Sequence, residues 1–185
     1  MLAGSYAARL APREEPALTM RKASMGDKVR RVVTAHDVMG HAVVQADEKV
    51  AVPGLPGENV RSAVIWATGT VPADNSVDVE IDLQDDGRSL TGTASVLRIV
   101  EFGPGYASPR HRTLSIDYLF VLSGELELEL DQGTLVRLYQ GDIVVQRGTS
   151  HQWRNPSQDT PCRVLVSMIE ARMVSIGGAV LQPAP

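Results

Sequence analysis

Four polar side chains occupy alternate positions in PRHRTLSIDYLFVL (109–122): His111, Thr113, Ser115 and Asp117. In an extended chain they share one face, with Leu114, Ile116 and Tyr118 on the other. Every buried polar group needs a partner, so such a row is a poor lining for a plain apolar core. It suits a barrel interior that holds water, a metal or a ligand. Further along, GDIVVQRGTSHQWRN (141–155) puts His151 and Trp153 on one face of a strand and Gln152 on the other. A histidine oriented by a carboxylate moves a proton to or from carbon or oxygen near neutral pH. On that chemistry His111 or His151 is the base, with Asp117 fixing the tautomer or serving as the acid. The plainer alternatives are a turn histidine at 111, bonded to Asp117 or to backbone, and a loop histidine at 151 held by Asn155. Trp153 either walls a ring-shaped substrate or fills the barrel. Arg147 either meets a carboxylate or phosphate or is an ordinary surface arginine in a turn. Arg110 and Arg112, flanking His111, face solvent or a subunit contact, or form a charged rim for an anionic substrate. Asn155 fixes the turn after its strand through side-chain to backbone bonds.

The elements that must position these residues are short and extended. VRRVVTAHD (29–37), AVVQADE (42–48), SAVIWATGTV (62–71) and VDVEIDL (77–83) read as strands, with a Pro-Gly-rich connection at 52–59 and a DDG turn at 85–87. From residue 93 onward, strands separated by glycine or polar turns follow at close, regular spacing, which indicates an all-β sandwich or barrel. ELELEL (125–130) is the clearest, with Leu126, Leu128 and Leu130 inward and its glutamates on a solvated face. No helix is compelling. The organisation expected is a tail over 1–28, N-terminal strands over 29–92 that pack on the barrel or on a partner subunit, a barrel core over 93–170, and an extension over 171–185. His36 and His41 read as loop or interface residues, and Trp66 as a packing residue.

The two polar stretches resemble the paired motifs of the cupin superfamily, whose members are double-stranded β-helix, or jelly-roll, barrels. In the first motif Gly105 precedes His111 at the family's spacing, Thr113 stands where a second histidine belongs, Asp117 replaces the glutamate, and Gly124 closes the pattern. The second motif, G-x5-P-x-G-x2-H-x3-N in the family, begins here at Gly141. Arg147 stands for its proline and Thr149 for its glycine, while His151 and Asn155 are kept. The resemblance covers roughly residues 93–170, and the barrel is similar to the conserved-barrel type of cupin. It implies a divalent metal (Fe, Mn, Zn or Ni) held by His111, Asp117 and His151, a ligand set of two imidazoles and one carboxylate that leaves positions open. The residues themselves add expected substrate contacts from Trp153, Thr113, Ser115 and Arg147.

Composition narrows the rest. A chain of 185 residues with a formal charge of −4 has room for a substantial core and lacks the basic balance of a nucleic-acid binder. Cys162 is the only cysteine, so no intrachain disulfide forms, and a reducing, cytoplasmic setting is expected. No apolar run has the length of a membrane span. The extra N-terminal strands favour a homodimer. The expected function is a small-molecule enzyme with lyase- or isomerase-like chemistry on a polar carbonyl or aromatic substrate. An iron-dependent dioxygenase and a non-catalytic ligand-binding barrel are the alternatives.

Overall fold

The computed structural model describes residues 28–75 and 94–181. The expected strand at 77–83, the turn at 85–87 and the tail up to residue 27 lie outside the described residues. The described residues are almost entirely β: β1 (Lys28–His36), β2 (Ala42–Ala51), β3 (Val60–Thr68), β4 (Ser95–Phe102), β5 (Ser115–Ser123), β6 (Glu125–Glu129), β7 (Leu135–Tyr139), β8 (Ile143–Arg147), β9 (Gln152–Arg154), β10 (Cys162–Glu170), β11 (Ser175–Ile176) and β12 (Ala179–Val180). A single 3-10 turn at Asp131–Gly133 is the sole helical element among them. β1 begins at Lys28, one residue inside the stretch expected to be tail.

A five-stranded antiparallel sheet in the order β3-β4-β10-β5-β8 and a three-stranded sheet β7-β6-β9 form the double-sheet body. Their inner faces follow from alternation. In β10 (CRVLVSMIE) Cys162, Val164, Val166 and Met168 are buried while the residues between them are not. In β6 Leu126 and Leu128 are buried as the ELELEL pattern requires. These side chains meet Val100, Phe102, Leu119, Val121, Leu138 and Trp153 in one cluster. Two of the three glutamates of β6 are met by arginines. Glu129 lies 2.7 Å from Arg110 and 3.2 Å from Arg154, and Glu127 lies 3.3 Å from Arg137.

β1 and β2 make a separate hairpin whose base joins the barrel. Val50 and Val52 pack with Ala63 and Ile99, and Arg31 donates to the Ile65 carbonyl. The rest of the hairpin is largely exposed, including Val44, Met39 and Val38 at its far end. His41 sits 3.2 Å from Asp37 in that exposed turn, as a loop residue.

Candidate functional site: a polar cavity between the sheets

A cavity of about 750 Å³ opens between the two sheets, lined by residues from β3, β4, β5, β9 and β10 and from the loop 103–113. His111, Thr113, Asp117, His151 and Trp153 all border it. The residues at 111–114 are not part of an extended strand, contrary to the alternation expected from the sequence. β5 starts at Ser115, and His111 reaches its position by an isolated antiparallel bridge to His151, each amide donating to the other's carbonyl at 2.9 Å.

That bridge brings the two rings together. Their centroids are 4.3 Å apart with planes tilted by 54°. Trp153 meets His151 edge-on at 5.3 Å. Each imidazole has its Nδ1 at 2.9 Å from a main-chain carbonyl two residues earlier, Pro109 for His111 and Thr149 for His151. A carbonyl only accepts, so both Nδ1 atoms carry the proton and both Nε2 atoms are left as the basic nitrogens. The tautomer is therefore set by backbone, not by Asp117. His151 is 1% exposed, and burial, helped by the neighbouring His111 and Arg110 charges against the Thr149 hydrogen bond, drops its pKa to about 4. It is a neutral imidazole at physiological pH.

Asp117 is buried and accepts hydrogen bonds from Ser115 Oγ at 2.5 Å and Thr113 Oγ1 at 3.2 Å. Burial raises its pKa; the two hydroxyls, Arg98 and His111 pull the other way without cancelling it. Tyr118 points away, 38% exposed, as alternation demands. Among the described residues no group of three or more His, Cys, Asp or Glu side chains is close enough to hold a metal ion. His111, Asp117 and His151 thus share one cavity without converging, and Asp117 is already engaged by two hydroxyls. As placed, they do not fit a three-ligand centre for Fe, Mn, Zn or Ni.

Two of the expected substrate contacts lie elsewhere. The β5–β8 register sets Asp117 opposite Gln146 and Ile116 opposite Arg147, so Gln146 is buried and Arg147 turns outward. Arg147 borders a second, smaller cleft and not the cavity. Ser115 is buried beneath Asp117 as its hydrogen-bond donor and does not border the cavity either. The left-handed residue of the turn before His151 is Gly148 (φ 59°), not position 149. The family pattern leaves ten residues between its first glycine and its histidine, and here residues 142–150 make nine. Thr149 instead supplies the carbonyl for His151 and a hydroxyl that Gln146 Nε2 meets. Asn155 does what was expected of it. Its Nδ2 reaches the carbonyls of Phe102, Gly103 and Thr160 at 3.0, 3.1 and 2.9 Å, and its Oδ1 accepts from Ser157 N at 3.0 Å.

Sequence reasoning did not find Arg98, Glu58, Asn59 and Ser62, which also border the cavity. An arginine inside the β4 run SVLRIVEF was the available signal, because it interrupts a strand otherwise suited to full burial.

Two antiparallel sheets enclosing one polar-ended cavity define a jelly-roll barrel built to receive a small molecule. Residues 98–168 match the Cupin domain family. The chain is 40% identical over 158 residues to the Phomopsin biosynthesis cluster protein C' of Diaporthe leptostromiformis, covering 82% of this chain and 83% of that one. It is 32% identical over 150 residues to the cupin-domain-containing oxidoreductase srdB of Neurospora crassa, covering 80% and 76%. A double-stranded β-helix protein from Klebsiella pneumoniae aligns with a TM-score of 0.46 at 20% identity, covering 65% of this chain and 84% of that one. The chain belongs to the cupin superfamily. Among the described residues no helix is long and apolar enough to cross a membrane.

Proposed function

We propose that the protein is a small-molecule enzyme of the cupin type that moves a proton on a polar, carbonyl-bearing substrate, in lyase- or isomerase-like chemistry. The observation that carries this is the histidine pair: two adjacent imidazoles, each locked by a main-chain carbonyl with Nε2 left basic, on a cavity of small-molecule size. The relatives' names, a biosynthesis cluster protein and a cupin-domain oxidoreductase, support small-molecule enzymology.

The two rings have different tasks. A base whose conjugate acid has a pKa near 4 provides little drive to remove a proton at neutral pH. His151 therefore stays neutral and accepts a hydrogen bond from a substrate hydroxyl at Nε2. His111, the less buried ring, takes the proton at its Nε2 from carbon next to the carbonyl and returns it at a second position. Arg98 supplies the positive charge that an enolate oxygen needs. Asp117, its carboxyl held by Ser115 and Thr113, borders the same cavity and keeps the lining around that oxygen polar. Trp153 provides the apolar wall on which the substrate packs.

The test is proton exchange. Carbonyl compounds are incubated with enzyme in D2O and followed by NMR. Wild type is expected to introduce deuterium next to the carbonyl, His111→Asn to abolish this, and His151→Gln to weaken substrate binding. Full exchange by His111→Asn would refute the assignment of the base.

A second reading, oxidoreductase chemistry as in the named Neurospora relative, rests on that relative's description. Metal analysis of untagged protein, with and without incubation in Fe(II), Mn(II), Zn(II) or Ni(II), separates the two. Near one ion per chain, lost in His151→Ala, favours the second. The exposed valines of the β1–β2 hairpin support a homodimer as the working form.

A further inference from the structure

The outer face of the five-stranded sheet carries one apolar row across all its strands. The registers set Ala63 opposite Ile99, Ile99 opposite Leu165, Leu165 opposite Phe120 and Phe120 opposite Ile143. Alternation turns these side chains away from the cavity, which β4 and β5 line with Arg98, Val100, Asp117 and Leu119. The base of the β1–β2 hairpin lies on one half of that face, where Val50 and Val52 pack on Ala63 and Ile99 with Leu165 at the margin. On the β5–β8 half the same face is exposed. Tyr118, Phe120 and Leu122 are 37–40% exposed, Ile143 60% and Val145 55%. β8 is also the last strand of this sheet among the described residues, the position where an apolar face most readily meets another chain.

The hairpin has an apolar outward side of its own. Burial alternates along β1, with Val29, Arg31, Val33 and Ala35 half-buried and Val32 and Thr34 exposed. The pairing of Thr34 with Val44 adds Val44 to the exposed side. Val32 is 48% and Val44 61% exposed. Asp47, opposite Val32, is paired within the hairpin, accepting from Arg30 Nε at 2.8 Å and Nη2 at 2.7 Å.

Area and shape together select the occupant. The five side chains on β5 and β8 expose on the order of 400–500 Å² of apolar surface, the size of the largest patch on a typical monomer. A stable interface takes about 800 Å² from each partner, so the patch falls short by itself. A second copy brings the remainder in its hairpin. A two-fold axis along the strands, lying over β10, sets each copy's hairpin over β5 and β8 of the other. The raised half of one molecule then fills the exposed half of its partner, a self-complementary contact that closes at two copies.

We propose that two copies of this chain associate by exchanging hairpins, with the outward side of β1–β2, at Val32 and Val44, packed on the β5–β8 patch of the partner subunit. The proposal rests on the homodimer reading and assigns its surface. From Val52 the chain leads straight to Leu55, Glu58 and Asn59 at the cavity, so the exchanged hairpin anchors one side of the cavity through association.

The experiment is sedimentation velocity on the full chain over a dilution series, comparing wild type with Ile143→Lys, Val44→Glu and the control Leu135→Lys. Leu135 is 44% exposed on the other sheet. Wild type and Leu135→Lys are expected at about twice the 19.9 kDa chain mass. Ile143→Lys and Val44→Glu should each weaken association at least about a hundredfold, because each places a charge in both copies of the contact. Mixing these two variants should restore a dimer, since one contact then pairs lysine with glutamate and the other is wild type. A dimer that withstands Ile143→Lys or Val44→Glu, or a mixture that stays monomeric, would overturn the exchange and leave the homodimer reading standing. A monomeric wild type would overturn both and leave the face to residues 1–27 of the same chain or to another protein. The exchanged side chains are exposed, and thermal unfolding of each variant checks that folding is unchanged. Failure of proton exchange at His111 leaves this test unaffected.

Discussion

Acid should cost this protein stability through His151 in particular. In the unfolded chain the imidazole titrates near 6.5, and in the folded barrel near 4. Between those values the unfolded chain binds a proton that the folded chain refuses, so stability falls as pH drops through that window and is fully present above 6.5. At about 1.4 kcal/mol per pH unit, the gap amounts to about 3 kcal/mol, a large part of the stability of a small domain. Asp117 acts in the opposite sense. Its folded pKa is raised, so the stability tied to its protonated form is present at low pH and lost as pH rises through that folded value. Both slopes mix in wild type, and subtraction separates them. Urea unfolding of wild type and His151→Gln between pH 4 and pH 8 should give curves that converge at low pH and diverge by about 3 kcal/mol above pH 6.5, with wild type higher. Parallel curves would mean that His151 is hydrated in the native state, and the argument for its neutral, accepting role would fail with them.

Asn155→Ala should destabilise by about 3 kcal/mol, because one amide group serves three main-chain carbonyls in a buried site and alanine replaces none of those bonds. Chemical denaturation checks this, and a loss under about 1 kcal/mol would show that water takes over. Gly124→Ala and Gly133→Ala make an informative pair. Both glycines have positive φ, but a Cβ at 124 would lie 2.6 Å from the Pro161 carbonyl oxygen, while at 133 nothing stands within 4 Å. The first should lose about 3 kcal/mol and the second about 1, read as the difference in urea midpoint at constant m-value.

Much of the barrel is legible in the chain because its strands alternate cleanly. β10 and β6 declare their inner faces, and the glycine at 124 and the run from Gly141 to Asn155 mark turns whose geometry only those residues satisfy well. Two things resist such reading. In IVVQR the apolar residues fall on both faces, so alternation alone does not say whether Gln146 or Arg147 points inward; the register with β5 decides it. Extended spacing at 111–117 likewise overstates the strand, because the bridge to His151 is a contact between segments far apart in sequence. Arg98 and Ser62 reach the cavity by the same route, through β3–β4 and β4–β10 pairing, and Asn59 from just before β3, and no local pattern announces such a meeting.

The reciprocal main-chain bond between residues 111 and 151 has a consequence for how such an enzyme changes over time. Both rings are located by amides and carbonyls, which every residue but proline supplies in full, and not by the side chains beside them. Substitutions at neighbouring positions that border the cavity, such as Ala107 or Thr113, can therefore reshape its lining while the pair keeps its spacing and its tautomers. Under the proposed function, the barrel separates what does the chemistry from what chooses the molecule, and a lineage is free to exchange substrates without rebuilding the histidine pair.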